Sequence, residues 1–152
     1  MEARMTHPVF VVPAAMEALQ AYSKAAHGLG ISNELIEMVH LRASQINGCS
    51  VCVGMHSTAL KKEGTSDERL FSIAAWRETP YFTDAERAAL ELTEVVTRIA
   101  DKGDAVPDAI WDEAARHFDD EGLSGLLIAI TSINVWNRLN AATHQMAGAD
   151  WA

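Results

Sequence analysis

Apolar residues recur along this chain at intervals of three and four, the spacing that places them on one face of an α-helix. The clearest case follows Thr83, where charged side chains fill the positions between the apolar ones. The apolar stripe there consists of Ala85, Ala88, Ala89, Leu92, Val95, Val96 and Ile99. Alternating patterns typical of β-strands are almost absent. The sequence therefore predicts an all-α helical bundle.

Residues that start and stop helices divide this pattern into segments. Thr65 with Glu68, and Thr83 with Glu86, match the capping-box spacing of a helix start. Asn47 and Gly48 match a helix stop, because no strand pattern flanks them. The predicted helices cover residues 13–27, 32–47 and 49–64, two further helices starting at residues 65 and 83, and residues 107–118 and 121–146.

The 152 residues suit one domain over residues 1–152. The most apolar late stretch is too short to span a bilayer, so we expect a soluble, cytoplasmic protein without a membrane partner. A net charge of -9 disfavours nucleic acid as a partner. The last predicted helix is apolar around much of its circumference, which favours a homo-oligomer.

The stretch INGCSVCVGMH, residues 46–56, contains both cysteines of the chain. Two cysteines cannot form the disulfide framework of a small secreted protein, so a Cys-x-x-Cys pair favours redox or metal chemistry. At about 100° per residue, Cys49, Cys52 and His56 fall within roughly 60° of one another on one helix face. Both sulfurs lie in the first helical turn, where free amides and the helix dipole lower a thiol pKa.

His56 follows Cys52 by one turn and is placed to accept a proton from its thiol, directly or through water. Glu37 is the candidate carboxylate partner of this imidazole. It lies in the preceding predicted helix, and a short turn at Asn47 and Gly48 would fold the two helices side by side. This pattern is typical of a thiol nucleophile activated by a base and an acid.

Glu37 followed by CSVCVGMH resembles the Glu-x11-Cys-x-x-Cys-x-x-x-His signature of the alkylhydroperoxidase D (AhpD-like) family, within the carboxymuconolactone decarboxylase superfamily. All four signature positions match. The next segment, ALKKEGTSDERLFSIAAWRETPYFTDAERAALELTE, is similar to the segment that follows the signature in that family. The resemblance covers roughly residues 32–99.

The resemblance implies an all-α fold that assembles into trimers or hexamers and reduces hydroperoxides. By motif position, Cys52 is the thiol attacked by peroxide and Cys49 its disulfide partner, while His56 accepts the proton and Glu37 ends the relay. The implied electron donor is an external dithiol, which in this family can be a lipoylated protein. No bound cofactor and no metal ion are implied. Val51 stands where one form of the family has a second histidine, so one proton acceptor is missing here.

Several alternatives stay open at this level. The chain could be a redox-sensing or structural oligomer with a regulatory disulfide and little turnover, or the superfamily's lactone decarboxylation could apply. Two thiolates, His56 and Glu37 could instead supply four ligands to zinc. His40 is predicted as a core-edge histidine able to pair with Glu37, and no role is assigned to the other histidines. The aromatic residues Trp76, Tyr81, Phe82 and Trp136 are candidates for packing or for a pocket wall.

Overall fold

The computed structural model describes residues 2–148, and its regular secondary structure is helical throughout that range. The prediction of an all-α fold is confirmed. The eight α-helices are α1 (Pro8–Val11), α2 (Pro13–Lys24), α3 (Asn33–Asn47), α4 (Ser50–Lys62), α5 (Asp67–Ser72), α6 (Asp84–Thr97), α7 (Asp108–His117) and α8 (Asp120–Thr143). A 3₁₀ segment, Ile73–Glu78, follows α5. The predicted domain boundaries at residues 1 and 152 lie outside the described residues.

Most predicted helix ends are close to the observed ones. Ser32 caps α3, its hydroxyl accepting a hydrogen bond from the Leu35 amide at 3.1 Å. The predicted capping box at α6 is present, with Thr83 and Glu86 bonded to each other's backbone amides. The last helix ends three residues before the predicted bound, because His144 takes a left-handed conformation (φ 54°).

The predicted cap at Thr65 is wrong by one residue. Ser66 caps α5, with its hydroxyl accepting a hydrogen bond from the Arg69 amide at 3.4 Å. The Thr65 hydroxyl instead donates to Glu34 Oε1 on α3 at 2.9 Å. A contact between distant segments therefore takes the hydroxyl that the local pattern assigns to the helix start.

Helices α3 and α8 are central to the fold. α3 packs against α4, α6 and α8, and α8 also packs against α2 and α6. Their contact surfaces are apolar, and each large side chain removed from water there contributes about 1.5–3 kcal/mol to folding. The fully buried side chains include Ile36, Met38, Leu41, Leu60, Leu90, Leu92, Leu126 and Ile130. This packing holds α3 and α4 rigidly beside α8.

The chain itself covers most of the apolar surface of α8. Leu126, Ile130 and Ile133 are buried, whereas Val135 is exposed. The apolar character of α8 is therefore weak support for a homo-oligomer, and the oligomeric state stays a prediction. Large exposed apolar side chains occur elsewhere, at Phe10, Val11, Val12, Tyr22, Met55 and Phe71. Among residues 2–148, none of the helices has the length and apolar character needed to cross a membrane.

Glu94 is buried, although its place in the α6 pattern predicts a solvated side chain. Its carboxylate accepts hydrogen bonds from Arg42 Nε at 2.8 Å, Trp76 Nε1 at 2.9 Å and Arg77 Nη1 at 2.9 Å. Burial alone would raise the pKa of Glu94, but the hydrogen bonds from Trp76, Arg77 and Arg42 outweigh it and lower the pKa to about 2. This ionised group joins α3, α6 and the 3₁₀ segment.

Candidate active site

The turn between α3 and α4 determines the geometry of the site. Gly48 adopts φ 67° and ψ 28°, the left-handed conformation that glycine accepts with the least strain. The Cys49 amide donates to the Ser44 carbonyl at 3.0 Å, and α4 begins at Ser50. Because only two residues separate the helices, α4 runs back along α3.

The two sulfurs lie at the start of α4. Cys49 and Cys52 form a disulfide, with their Cα atoms 5.4 Å apart. Cys49 is the residue that caps α4, and its sulfur accepts a hydrogen bond from the Cys52 amide at 3.4 Å. Both residues are buried. When the pair is reduced, a thiolate here would face the free amides and the positive end of the helix dipole.

Glu37 and His56 meet across the α3–α4 hairpin. Glu37 Oε2 lies 2.7 Å from His56 Nδ1, and both side chains are mostly buried. A carboxylate can only accept a hydrogen bond, so Nδ1 carries the proton. Nε2 of His56 is then the ring atom with a lone pair that can take a proton from another group. The structure thus joins the four predicted site residues in two pairs, Glu37 with His56 by a hydrogen bond and Cys49 with Cys52 by the disulfide.

His40 is a site residue to which the sequence analysis assigned no chemistry. Its ring centroid lies 4.8 Å from that of His56, and the side chain is buried. Burial, together with the nearby His56 and His27, lowers the pKa of His40 to about 3, against a smaller opposing effect of the Ala129 carbonyl. His40 is therefore neutral at physiological pH. The available signal was its position three residues after Glu37, on the same helix face.

Three asparagines on α8 support the site, and sequence reasoning missed them. Asn134 and Asn137 accept hydrogen bonds from the Asn47 amide at 3.0 Å and 2.9 Å. The Asn140 amide nitrogen lies 3.5 Å from Cys49 Sγ and 3.3 Å from Cys52 Sγ, as a donor to both. Their spacing of three residues within an otherwise apolar helix was the signal in the sequence.

A cavity of about 490 Å³ lies beside these groups. Cys52 and His56 line it, whereas Cys49 is not among the lining residues. The polar part of the wall also includes Glu37 and His40. Its apolar lining includes Val9, Phe10, Met16, Val51, Met55, Ile133 and Trp136. The cavity therefore presents an apolar chamber to one sulfur and its neighbouring imidazole.

The four aromatic candidates have different locations in the fold. Trp136 lines the cavity. Trp76 and Phe82 are buried in the core cluster, as the packing interpretation predicts, and Tyr81 is exposed. Among the remaining histidines, His7 accepts a hydrogen bond from the Val9 amide at 3.2 Å at the start of α1.

Solved structures with the same fold define the class of protein. A protein of unknown function from Agrobacterium tumefaciens, provisionally named antioxidant defence protein AhpD, superposes with a TM-score of 0.89 at 32% identity, covering 98% of this chain and 100% of that one. The debrominase Bmp8 in complex with 2,3,4-tribromopyrrole gives a TM-score of 0.81 at 20% identity, covering 93% and 74% of the two chains. The latter likeness shows the fold alone. The fold is that of AhpD-like proteins.

Sequence comparison places the chain in a family. The model of the carboxymuconolactone decarboxylase family matches residues 13–95. The uncharacterized protein YdfG of Bacillus subtilis (strain 168) is 32% identical over 139 residues, which cover 91% of this chain and 93% of YdfG. The chain belongs to the carboxymuconolactone decarboxylase family.

Proposed function

We propose that this protein is a thiol-dependent peroxidase that reduces hydroperoxides through a dithiol/disulfide cycle of Cys49 and Cys52. The observation that carries the proposal is the 2.7 Å bond between Glu37 Oε2 and His56 Nδ1, beside a cavity that Cys52 lines. A buried acid, a base and a pair of sulfurs at a helix start are the parts that thiol oxidation chemistry requires.

In the first step, Cys52 loses its thiol proton to His56 Nε2, directly or through water, and the charge on His56 is balanced by Glu37. The thiolate sulfur then attacks the terminal hydroxyl oxygen of the hydroperoxide, ROOH. The O–O bond breaks, an S–O bond forms, and the leaving alkoxide takes the proton to become the alcohol ROH. Cys52 is left as a sulfenic acid, oxidised by two electrons.

In the second step, the Cys49 sulfur attacks the Cys52 sulfenic acid. An S–S bond forms and the S–O bond breaks, while the Cys49 proton and the departing hydroxyl leave as water. The disulfide protects Cys52 from further oxidation. The described disulfide corresponds to the state at the end of this step.

The cycle closes when an external dithiol reduces the disulfide by thiol–disulfide exchange. A lipoylated protein is a candidate donor, and the protein itself then needs no bound cofactor. We also propose that the chain works in the cytoplasm as a homo-oligomer, a trimer or hexamer, with the exposed apolar side chains near α1 and α2 as candidate contacts. The apolar cavity wall favours organic hydroperoxides over hydrogen peroxide.

The test is single-turnover consumption of cumene hydroperoxide by the pre-reduced protein. Cys52→Ser should abolish consumption, because no thiolate then reaches the cavity. Cys49→Ser should consume one equivalent and stop at a sulfenic acid, detected by mass spectrometry. His56→Gln and Glu37→Gln should slow the reaction by about 10²–10⁴-fold, the range that a positioned base contributes.

His117→Gln is the matched histidine control, because His117 pairs with Glu113 on α7 and does not line the cavity. It should react like the unmodified protein. Equal rates for Cys52→Ser and the unmodified protein would refute the proposal. Slow turnover with every dithiol, together with a change of oligomer size on oxidation, would favour the redox-sensor alternative instead.

A further inference from the structure

Three potential ligand atoms converge between α3 and α4. Glu37 and His40 form a Glu-x-x-His pair one turn apart on α3, a spacing with which helices present two metal ligands on one face. His56 joins them from α4. One ligand atom from each of the three side chains lies within 4.8 Å of the other two. No ligand from a loop is needed, so the two packed helices hold the set in place.

His40 is the residue of this set that the peroxidase proposal does not use. Only 7% of its surface is exposed, and neither ring nitrogen completes a hydrogen bond of regular geometry with the described residues. An imidazole that is buried without such a bond loses hydration and gains little in return. The Ala129 carbonyl lies near the ring. A backbone carbonyl is one of the usual outer partners that orient a metal-binding histidine.

We propose that Glu37, His40 and His56 form a three-ligand site for a divalent transition metal ion of the zinc class. Two imidazoles and one carboxylate are a known ligand set for zinc, and they leave a fourth position for water or another small ligand. All three residues line the cavity, so that position faces the cavity beside Cys52. Imidazole ligands disfavour magnesium and calcium, which prefer oxygen.

The metal ion would take the place of a proton. In the metal-free site, the hydrogen bond between Glu37 Oε2 and His56 Nδ1 contains one proton, and a metal ion bound to both residues displaces it. The metal-loaded protein therefore loses the Glu37–His56 pair. This consequence rests on the proposed function: if the pair serves the peroxidase reaction, Zn²⁺ is a reversible inhibitor of that reaction.

Binding is tested on the oxidised, tag-free full-length protein, because the disulfide removes both sulfurs as competing ligands. Calorimetric titration with Zn²⁺ should give one tight site per chain, and Co²⁺ should give a tetrahedral or five-coordinate visible spectrum without sulfur-to-metal bands. His40→Gln should weaken Zn²⁺ binding by more than about 100-fold, above the loss expected for an outer partner. Glu37→Gln should weaken Zn²⁺ binding by a comparable factor. This second variant keeps the test valid if His40→Gln fails to fold.

The matched control is His27→Gln. His27 also lines the cavity, but its Nδ1 pairs with Asn33 Oδ1 at 3.0 Å and it is not part of the three-residue set. Its replacement should leave Zn²⁺ affinity unchanged. No stoichiometric binding to the oxidised protein, or equal affinity in His40→Gln and the unmodified protein, would overturn the site.

A second measurement separates the site from the peroxidase proposal. The ratio of peroxide reduction rates with and without Zn²⁺ is determined for the reduced protein and for His40→Gln, so differences in basal rate cancel. Zn²⁺ should slow the unmodified protein and lose most of that effect in His40→Gln. An equal effect in both proteins would assign the inhibition to the reduced sulfurs and contradict the inhibitory role of the three-residue site. A metal-free protein that reduces no hydroperoxide would refute the peroxidase proposal and leave the Zn²⁺ titration of the oxidised protein to decide the site.

Discussion

Replacing Asn140 by leucine removes an N–H group that α8 directs at both sulfurs. The amide nitrogen lies 3.5 Å from Cys49 Sγ and 3.3 Å from Cys52 Sγ. After reduction this group can donate to a thiolate, and hydrogen bonds to charged groups contribute about 1.5–3 kcal/mol. Because two sulfurs share the donor, we take the lower value, about 1.5 kcal/mol. One pKa unit corresponds to about 1.4 kcal/mol, so the thiol pKa should rise by about one unit.

The assay is the pH dependence of alkylation by iodoacetamide in the reduced protein, with the ultraviolet absorbance of the thiolate as a second readout. Leucine matches asparagine in size and lacks the donor, and it also removes the hydrogen bond between Asn140 and His7. At a pH below both thiol pKa values, Asn140→Leu should react about three- to tenfold more slowly, because the thiolate fraction falls about tenfold while the more basic thiolate is more nucleophilic. Asn140→Asp should raise the pKa further, because a carboxylate repels the thiolate.

Ser50→Ala is the control for general changes at the start of α4. The Ser50 hydroxyl accepts a hydrogen bond from the Ala147 amide at 3.2 Å and is not a partner of either sulfur. Its alkylation profile should match that of the unmodified protein. An Asn140→Leu protein with a native circular dichroism spectrum and an unshifted thiol pKa would show that the amide does not stabilise the thiolate.

Two further predictions concern stability. Glu94→Gln should lower the free energy of unfolding by about 3 kcal/mol, because Arg42 and Arg77 lose a buried anionic partner. Since the folded-state pKa of Glu94, about 2, lies below the ordinary 4.5, this stabilisation is full above pH 4.5 and is lost as the pH falls towards 2. In urea unfolding, the unmodified protein should therefore lose more stability than Glu94→Gln between pH 4.5 and 2, and equal losses would contradict the prediction. Gly125→Ala should cost about 1–3 kcal/mol, because a Cβ there would lie 3.2 Å from the backbone oxygen of Ala26 as well as 2.9 Å from Ile31 Cδ1. Gly54→Ala, where a Cβ meets nothing within 4 Å, is the paired control in thermal unfolding and should not destabilise.

The parts of the fold that depend on neighbouring residues could be predicted from the sequence. Ser32 and Gly48 define the ends of α3 through local hydrogen bonds and backbone conformation, and both acted as expected. The contact between Glu37 and His56 follows from the same local information. Once a two-residue turn joins two helices, residues at suitable distances from the turn must face each other.

The parts that depend on distant residues could not be predicted. Glu94 is buried because Arg42 reaches it from 52 positions earlier, and no pattern within α6 contains that partner. Asn140 meets Cys52 across 88 positions. Thr65 matches the local pattern of a helix cap, but its hydroxyl donates a hydrogen bond to Glu34, 31 positions away, and does not cap the helix. Pairings of this kind arise only when the helices pack.

The hydrogen bonds of the asparagines on α8 restrict which substitutions related sequences can tolerate at these positions. Asn134 and Asn137 share the Asn47 amide, and Asn137 donates in turn to the Ser44 hydroxyl at 3.1 Å. Replacing one member leaves a buried polar partner without a hydrogen bond, which lowers the free energy of unfolding by about 1–3 kcal/mol. Replacing both partners by apolar groups can be nearly neutral. Relatives that lack Asn47 are therefore expected to have changed its two acceptors as well. Covariation among these positions would reveal the contact of α8 with α3 from sequences alone.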